Sequence, residues 1–120
     1  MSWMPLLEEE LYDLINQAYI RMSLTQLKLW EIIKIMPVKW QQHPWGDEGN
    51  GFWVLAIIGN HVLWYNDIEE GFNLSTFKEW GIIEEYWCNQ DDLEWVVQDI
   101  INQIRDGYSS KLVVSPPKSL

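Results

Sequence analysis

The residues best suited to chemistry lie in one acidic stretch, residues 65–73, which follows an apolar strand-like segment. The side chains singled out in it are Asp67, Glu69, Glu70 and Asn73. Carboxylate and amide oxygens are the ligands that calcium and magnesium prefer. A calcium-loop count starting at Asn66 nevertheless puts Ile68 and Phe77 at ligand positions, so the pattern fails. We predict a polar loop that serves as a recognition surface, with no metal.

A second pair of carboxylates, Glu84 and Glu85, lies in a predicted strand. Neighbouring strand residues point to opposite faces of a sheet, so these two cannot act together as acid and base. Pairing one of them with Asp67 or Glu69 across strands would give a glycosidase-like hydrolase. This is the least favoured of the functions considered.

Cys88, the chain's one cysteine, precedes a predicted helix, a position that can lower a thiol pKa. A cysteine nucleophile would also need His43 or His61, and no cysteine-protease motif flanks it. The two histidines have no metal-ligand spacing. We interpret Cys88 as a small buried apolar residue. The alternative is that it is the nucleophile of the disfavoured hydrolase. We expect the protein to have no cofactor.

A glycine-rich loop with Gly46, Gly49 and Gly51 precedes a strand, whereas a phosphate-binding loop precedes a helix. Asp47 and Glu48 in the same loop would repel phosphate. We interpret it as a flexible connection.

The net charge of the chain indicates which class of macromolecule it can bind. Eighteen Asp and Glu against eight Lys and Arg give 120 residues a net charge of −10. Nucleic acids and anionic membranes are bound through clustered cations, so we expect neither as a partner. Such a negative field attracts a basic protein. The chain has no apolar stretch long enough to span a membrane and no signal-peptide pattern at its start, and we expect it in the cytoplasm.

Nine tryptophans supply large apolar surfaces. Those expected to fill the core lie in or beside strands: Trp53 (or Phe52), Trp64, Trp80 and Trp87. Three others, Trp40, Trp45 and Trp95, flank a loop or lie off a helix stripe, and either anchor a contact or fold over the sheet edge.

Two helices are predicted from apolar residues at three- and four-residue spacing, over residues 5–22 and 91–107. Asp91 with Glu94 predicts a capping pair for the second of these helices, with Asn89 as the alternative cap, and Gly107 lies just past its end. Ser23 with Gln26 forms a capping box that could begin a short helix, although we favour a strand from Trp30 to Gln42. Pro37 would place that strand at an edge or a bulge.

Strands are also predicted for Phe52–Ile58 and for residues 61–65, joined by a Gly59-Asn60 turn. Residues 66–75 are interpreted as a loop anchored by Phe72, and residues 81–87 as a further strand. The sequence therefore predicts an α+β domain over residues 1–107: an antiparallel meander of three to four strands flanked by an N-terminal and a C-terminal helix, in two layers. Residues 108–120 are expected to be a flexible tail.

The central strand is apolar on both faces, so its second face needs a cover of long loops or a second copy of the chain, which would make a homodimer.

A non-catalytic acidic domain that binds a basic protein is the favoured function. Its expected binding residues are Asp67, Glu69, Glu70, Asn73, Asp47, Glu48, Trp45 and Trp95. In size, charge and lack of catalytic motifs the chain is similar to small acidic immunity proteins and antitoxins of bacteria, which neutralise basic toxins. The alternative is a small-molecule or carbohydrate-binding domain with aromatic walls.

Overall fold

The computed structural model describes residues 3–107, which form three helices and four strands. The helices are α1 (Glu8–Arg21), α2 (Leu24–Ile33) and α3 (Leu93–Asp106). The strands are β1 (Lys34–Trp40), β2 (Phe52–Ile58), β3 (His61–Asn66) and β4 (Gly71–Thr76). The strands form one antiparallel sheet in the order β1-β2-β3-β4, which confirms the predicted α+β meander.

The capping box at Ser23 determines where the second helix begins. The Ser23 hydroxyl accepts a hydrogen bond from the Gln26 amide at 3.2 Å, and the Gln26 side chain accepts one from the Ser23 amide at 2.8 Å. Residues 30–33 therefore continue α2, and the prediction that a strand begins at Trp30 is wrong. Trp30 and Ile33 are buried in the core between the helices and the sheet, which we call the helix-side core. This packing overrides the strand preference of the isoleucines.

Pro37 lies in an edge strand, as expected. The pairing of β1 with β2 shifts register between Lys34 and Val38, so the proline falls where the ladder is interrupted.

The β2–β3 hairpin matches its prediction. β2 covers Phe52–Ile58 and pairs with β3 across the Gly59-Asn60 turn, in which Gly59 has φ +59°. Such a backbone angle favours glycine, which has no Cβ to clash.

Two predictions for the following residues are wrong. The expected loop over residues 66–75 contains β4, whose Phe72 and Leu74 pack in the helix-side core while Asn73 and Ser75 face the other side. Residues 81–87 form no strand. Only Ile82 pairs, with Gln41 in an isolated parallel bridge, because this segment crosses the face of the sheet.

Both faces of the sheet are covered. The helices pack on one face, around Leu55, Leu63 and Leu74. The other face carries an aromatic cluster of Trp40, Phe52 and Trp64, covered by the chain itself.

We call this cover the covering segment, residues 77–91. Ile83 packs in the aromatic cluster, and the Glu85 carbonyl accepts a hydrogen bond from Ser75 Oγ at 3.0 Å. The face that suggested a homodimer is thus internal, and the homodimer itself stays a prediction.

The last helix ends at Gly107, with φ +88°, as predicted. Its N-cap is Asp92, so the expected capping pair of Asp91 and Glu94 is wrong: the Glu94 side chain bonds Arg21 instead. No helix within residues 3–107 has the length and apolar character needed to cross a membrane. The predicted flexible tail, residues 108–120, lies outside the described residues.

Candidate functional site: an acidic end of the sheet

Four segments meet where β1 and β3 end and β2 and β4 begin. They are residues 3–6, 41–50, 66–71 and 89–92. The meander brings the two loops together, because Trp40 pairs with Phe52 and Asn66 pairs with Gly71. We call this region the acidic end.

Contacts of Trp3 and Leu6 join the N-terminal segment to both loops. The Trp3 indole donates a hydrogen bond to the Asp67 carbonyl at 3.1 Å, and a Cβ added to Gly49 would lie 3.0 Å from the Trp3 ring. The Leu6 amide donates to Asp67 Oδ2 at 2.8 Å. Two loops far apart in sequence are therefore held on either side of one tryptophan.

The fourth segment joins at the β3–β4 turn. Gln90 Nε2 donates to the Glu69 carbonyl at 3.0 Å, and the Phe72 amide donates to the Asp91 carbonyl at 2.9 Å. α3 begins directly after this segment, so its first turn also lies at the acidic end.

These segments concentrate negative charge. Their seven carboxylates are Asp47, Glu48, Asp67, Glu69, Glu70, Asp91 and Asp92. The basic side chain within the four segments is His43, whose Nδ1 lies 2.8 Å from Asp47. The nearby Lys39 bonds the Gly49 carbonyl at 2.7 Å and lies over the Trp53 ring. Seven of the eighteen carboxylates therefore lie at one end of the sheet, in segments that contain neither lysine nor arginine.

The β3–β4 turn that carries Asp67, Glu69 and Glu70 is rigidly built. The buried Asn66 accepts hydrogen bonds from the Ile68 and Glu69 amides at 3.0 and 3.1 Å, and donates to the Trp87 carbonyl at 2.9 Å. An Asx turn of this kind fixes the backbone that presents the carboxylates.

Asn73 was expected in the binding surface, but the structure buries it. Its Nδ2 donates to the Gly71 and Asn89 carbonyls, and its Oδ1 accepts from the Asn89 amide at 3.0 Å. Asn73 is 1% exposed and cannot reach a partner. Its role is to hold the covering segment against β4.

Asp67 has an unusual environment for a carboxylate. Burial raises its pKa above the ordinary value, although the hydrogen bond from the Leu6 amide acts in the opposite direction. Its Oδ1 is buried without a hydrogen-bond partner. The charged form of Asp67 is therefore only partly compensated by the protein.

Asp67 also lines a pocket of about 220 Å³, which we call the acidic pocket. Its walls include Trp3, Met4, Glu10, Tyr65, Asp67 and Glu70. Burial and the neighbouring carboxylates of Glu70 and Asp67 raise the pKa of Tyr65 to about 12. Both carboxylates line the same pocket as this phenol.

Two predicted anchor tryptophans are exposed beside the acidic end. Trp45 precedes Asp47 and Glu48, is 54% exposed and stacks on Tyr86 with ring centroids 4.9 Å apart. Trp95 is 60% exposed, in the first turn of α3. Each ring therefore offers a large apolar surface next to carboxylates.

The predicted burial of the other tryptophans is correct for some of them and wrong for others. Trp64 is fully buried, as expected, and Trp40 is buried as well. Trp80 and Trp87 were expected in the core, but they are 69% and 47% exposed. Both belong to the covering segment, in which the inward-facing positions are taken by Phe77, Ile83 and Tyr86.

A separate groove of about 320 Å³ lies between α1, α2 and β1. Its walls include Tyr12, Tyr19, Trp30, Met36 and Pro37. At its rim Lys34 bonds Glu31 at 2.9 Å, and Tyr19 donates a hydrogen bond to the same carboxylate. The groove is aromatic and carries little unpaired charge.

Of the residues considered for catalysis, Cys88, Glu84 and Glu85 lie in the covering segment, outside the four segments of the acidic end. Cys88 is exposed, so its interpretation as a buried apolar residue is wrong. Glu84 bonds Thr76 Oγ1 at 2.8 Å and Lys78 at 3.3 Å, and Glu85 bonds the Thr76 amide at 3.1 Å. Among residues 3–107, no group of three His, Cys, Asp or Glu is placed to hold a metal ion.

The chain matches no protein-family model, no curated protein and no solved structure.

Proposed function

We propose that this protein is a non-catalytic domain that binds a basic protein at its acidic end. The observation that carries the proposal is that four separate segments bring seven carboxylates to one end of the sheet, where His43 is the basic residue they contain. Charges gathered in this way make a potential that steers a basic partner and fixes its orientation.

Rigid presentation supports the same proposal. The Asn66 bonds fix the β3–β4 turn, and Trp3 packs between this turn and Gly49. A surface that is ordered before binding loses less conformational entropy on association.

The exposed rings of Trp45 and Trp95 complete the proposed surface. Tryptophan is enriched among the residues that contribute most to binding, because it buries a large area with few rotatable bonds. Carboxylates at the acidic end would set the approach and orientation of the partner, and these rings would anchor it.

Neutralisation of a basic toxin or enzyme, as by an immunity protein, is the form of this function that we favour. A rigid acidic surface would cover cationic groups that the partner needs for its own substrate. We further propose that this takes place in the cytoplasm, where the thiol of Cys88 stays reduced.

The test begins with capture of partners from a lysate of the native host and elution in steps of increasing salt. The association rate of the captured protein is then measured against ionic strength with two charge reversals, Glu70→Lys at the acidic end and Asp106→Lys at the end of α3. Both variants change the net charge equally. Asp106 ends a 14-residue helix that starts at the acidic end, so it lies about 20 Å away.

We expect Glu70→Lys to slow association at least tenfold at low salt and Asp106→Lys to slow it less than twofold. Equal slowing by both variants would show that overall charge, and not the acidic end, attracts the partner. An association rate that does not change with salt would contradict the proposal.

A second function is favoured by the groove between α1, α2 and β1. Its aromatic walls and paired rim charges suit an uncharged, largely apolar small molecule or the face of a sugar. Titration with a panel of such compounds would quench the fluorescence of Trp30 if this function is correct. The signal should be lost in Trp30→Phe, and Trp95→Phe serves as the control.

A further inference from the structure

We propose that the acidic pocket receives one arginine side chain of the basic partner, an inference that rests on the proposed function. The pocket is a formed cavity at the centre of the contacts between the N-terminal segment and the β3–β4 turn. Its volume is about 220 Å³. That is roughly seven times the ~30 Å³ which one water molecule occupies in the liquid, space suited to a long side chain.

The charges lining the pocket are all of one sign. Glu10, Asp67 and Glu70 contribute carboxylates, and neither lysine nor arginine is among its lining residues. Glu10 and Asp67 each use one oxygen to accept a backbone hydrogen bond, from Leu7 and Leu6 at 2.8 Å. A backbone amide does not neutralise a carboxylate. Lys39, outside the pocket, has the smallest of the effects on the pKa of Asp67, so negative charge remains for an incoming cation.

Of the three carboxylates that line the pocket, Asp67 would be stabilised most by such a cation. A carboxylate that is partly buried and has one oxygen without a hydrogen bond pays a desolvation cost in the free protein. A guanidinium bound nearby lowers this cost by direct attraction, which is stronger in a concave, partly desolvated site than on an open surface.

The aromatic walls favour arginine over lysine. Trp3 and Tyr65 line the same pocket as the carboxylates. A planar guanidinium stacks on aromatic rings while it donates hydrogen bonds at its edge, whereas an ammonium is a compact and strongly hydrated charge. Arginine is also enriched at protein interfaces, where lysine is depleted.

The pocket is preformed. The Trp3 indole is held by its bond to the Asp67 carbonyl, and Tyr65 is fixed in β3 against Phe72, with ring centroids 4.7 Å apart. An entering arginine side chain therefore loses conformational freedom on binding, whereas the walls of the pocket are already ordered.

The experiment titrates the ¹⁵N-labelled full chain with Nα-acetyl-arginine N-methylamide and follows its NMR spectrum. The indole N–H of Trp3 and the backbone N–H of Leu6 are the reporters, because both bond Asp67. The citrulline analogue, which has the same shape without the charge, is the control ligand. We expect saturable shifts of both reporters in the millimolar range with the arginine probe, and no saturation with the citrulline probe.

Three variants locate the site. Asp67→Asn keeps an oxygen to accept from Leu6, and Glu70→Gln changes an exposed residue, so both are chosen to preserve the fold. Each should weaken the arginine probe at least fivefold. Glu48→Gln removes one charge from the acidic end outside the pocket, and should change the affinity less than twofold.

If all three variants weaken binding of the arginine probe equally, the acidic pocket is not the site where this probe binds. Binding of the citrulline probe would also overturn the pocket as the site, and tighter binding of the lysine analogue would overturn the choice of arginine. These results differ from a failure of the proposed function. If a salt-dependent basic partner still loses affinity with Glu70→Lys and not with Asp106→Lys, the acidic end binds it without an arginine in the pocket.

Discussion

Arg21, at the end of α1, donates two hydrogen bonds to the carboxylate of Glu94 in the first turn of α3. Its Nε lies 2.6 Å from Oε2 and its Nη2 lies 3.0 Å from Oε1. Glu94 is only 5% exposed, whereas the arginine side chain is 45% exposed. The pair therefore joins the start of α3, beside the acidic end, to the end of α1.

Removing the arginine leaves a buried carboxylate without its counter-ion, which is among the costly single changes in proteins. We expect Arg21→Ala to lower the midpoint of thermal unfolding at pH 7 by about 5 °C. Arg105→Ala is the matched control, because Arg105 bonds the exposed Asp106 and should shift the midpoint by less than about 1 °C. Equal shifts would show that the Glu94 pair is no stronger than a surface pair.

Opposite pKa shifts at Glu94 and Asp67 give opposite effects of pH on stability. Burial alone would raise the pKa of Glu94, but the bonds from Arg21 outweigh it and hold the pKa below the ordinary 4.5. Glu94 therefore stabilises the fold above the unfolded-state pKa, and this contribution is lost as pH falls through the folded-state pKa. The pKa of Asp67 is raised in the folded state, so ionised Asp67 destabilises the fold at neutral pH. This destabilisation disappears as pH falls through the folded-state pKa of Asp67.

NMR titration of the side-chain carboxyl carbons measures both groups directly. We expect Asp67 to titrate above 3.8 and Glu94 below 4.5. In Arg21→Ala the pKa of Glu94 should rise, while that of Asp67 should stay within about 0.3 units, since Arg21 is not among the groups that shift it. An unshifted Glu94 in the variant would contradict the origin of its low pKa.

Gly71 allows the covering segment to approach β4. A Cβ at this position would lie 2.1 Å from the Asn89 carbonyl oxygen and 2.4 Å from the Gln90 Cα. We expect Gly71→Ala to lower the free energy of unfolding by about 3 kcal/mol or more, since the backbone of the covering segment must move. Chemical denaturation followed by near-UV circular dichroism is the measurement.

Gly107→Ala gives the comparison. Gly107 has φ +88° and nothing within 4 Å of its Cβ position, so only backbone strain is added, worth about 1 kcal/mol. Similar losses at the two positions would show that the covering segment adapts at little cost.

Asn66 is predicted to control the order of the β3–β4 turn. Asn66→Ala removes the acceptor for the Ile68 and Glu69 amides and the donor to the Trp87 carbonyl, so we expect a loss of about 2–3 kcal/mol. Amide hydrogen exchange should accelerate first at Ile68 and Glu69. Asn60→Ala, in the exposed turn at the opposite end of the sheet, should leave these amides unchanged.

Patterns within single elements were enough to predict much of the fold. The capping box at Ser23, the Gly59-Asn60 turn and the apolar run Phe52–Ile58 each depend on neighbouring residues, and each is present in the structure. The α+β meander follows from their order along the chain.

The covering segment could not be predicted in the same way, because its conformation is set by distant partners. Ile82 pairs with Gln41, and Glu85 bonds Ser75 and Thr76, contacts that leave no periodic pattern in the sequence. β4 was missed because Asn73 and Ser75 lower its strand propensity. Their polar side chains are tolerated since they bond Asn89 and Glu85.

The candidate site was predicted in part. Five of its seven carboxylates were named from the sequence as binding residues, but Asp91 and Asp92 were not. Trp3 and Glu10, which line the acidic pocket, were not named either. Trp3 lies 64 positions from Asp67, and no local pattern connects them. The alternation of Phe72 and Leu74 was the available signal for β4, and it would have placed Asn73 on the opposite face of the sheet from these two residues.

The interruption of β1 at Pro37 has a consequence for behaviour at high concentration. An open sheet edge offers unpaired amides and carbonyls on which the strand of another molecule can add, and long regular edges promote aggregation. Pro37 has no N–H, and the register of β1 against β2 shifts between Lys34 and Val38, so this edge strand is irregular near its middle. Replacing Pro37 by valine would restore a backbone donor there, and we expect the variant to assemble edge to edge more readily at high concentration.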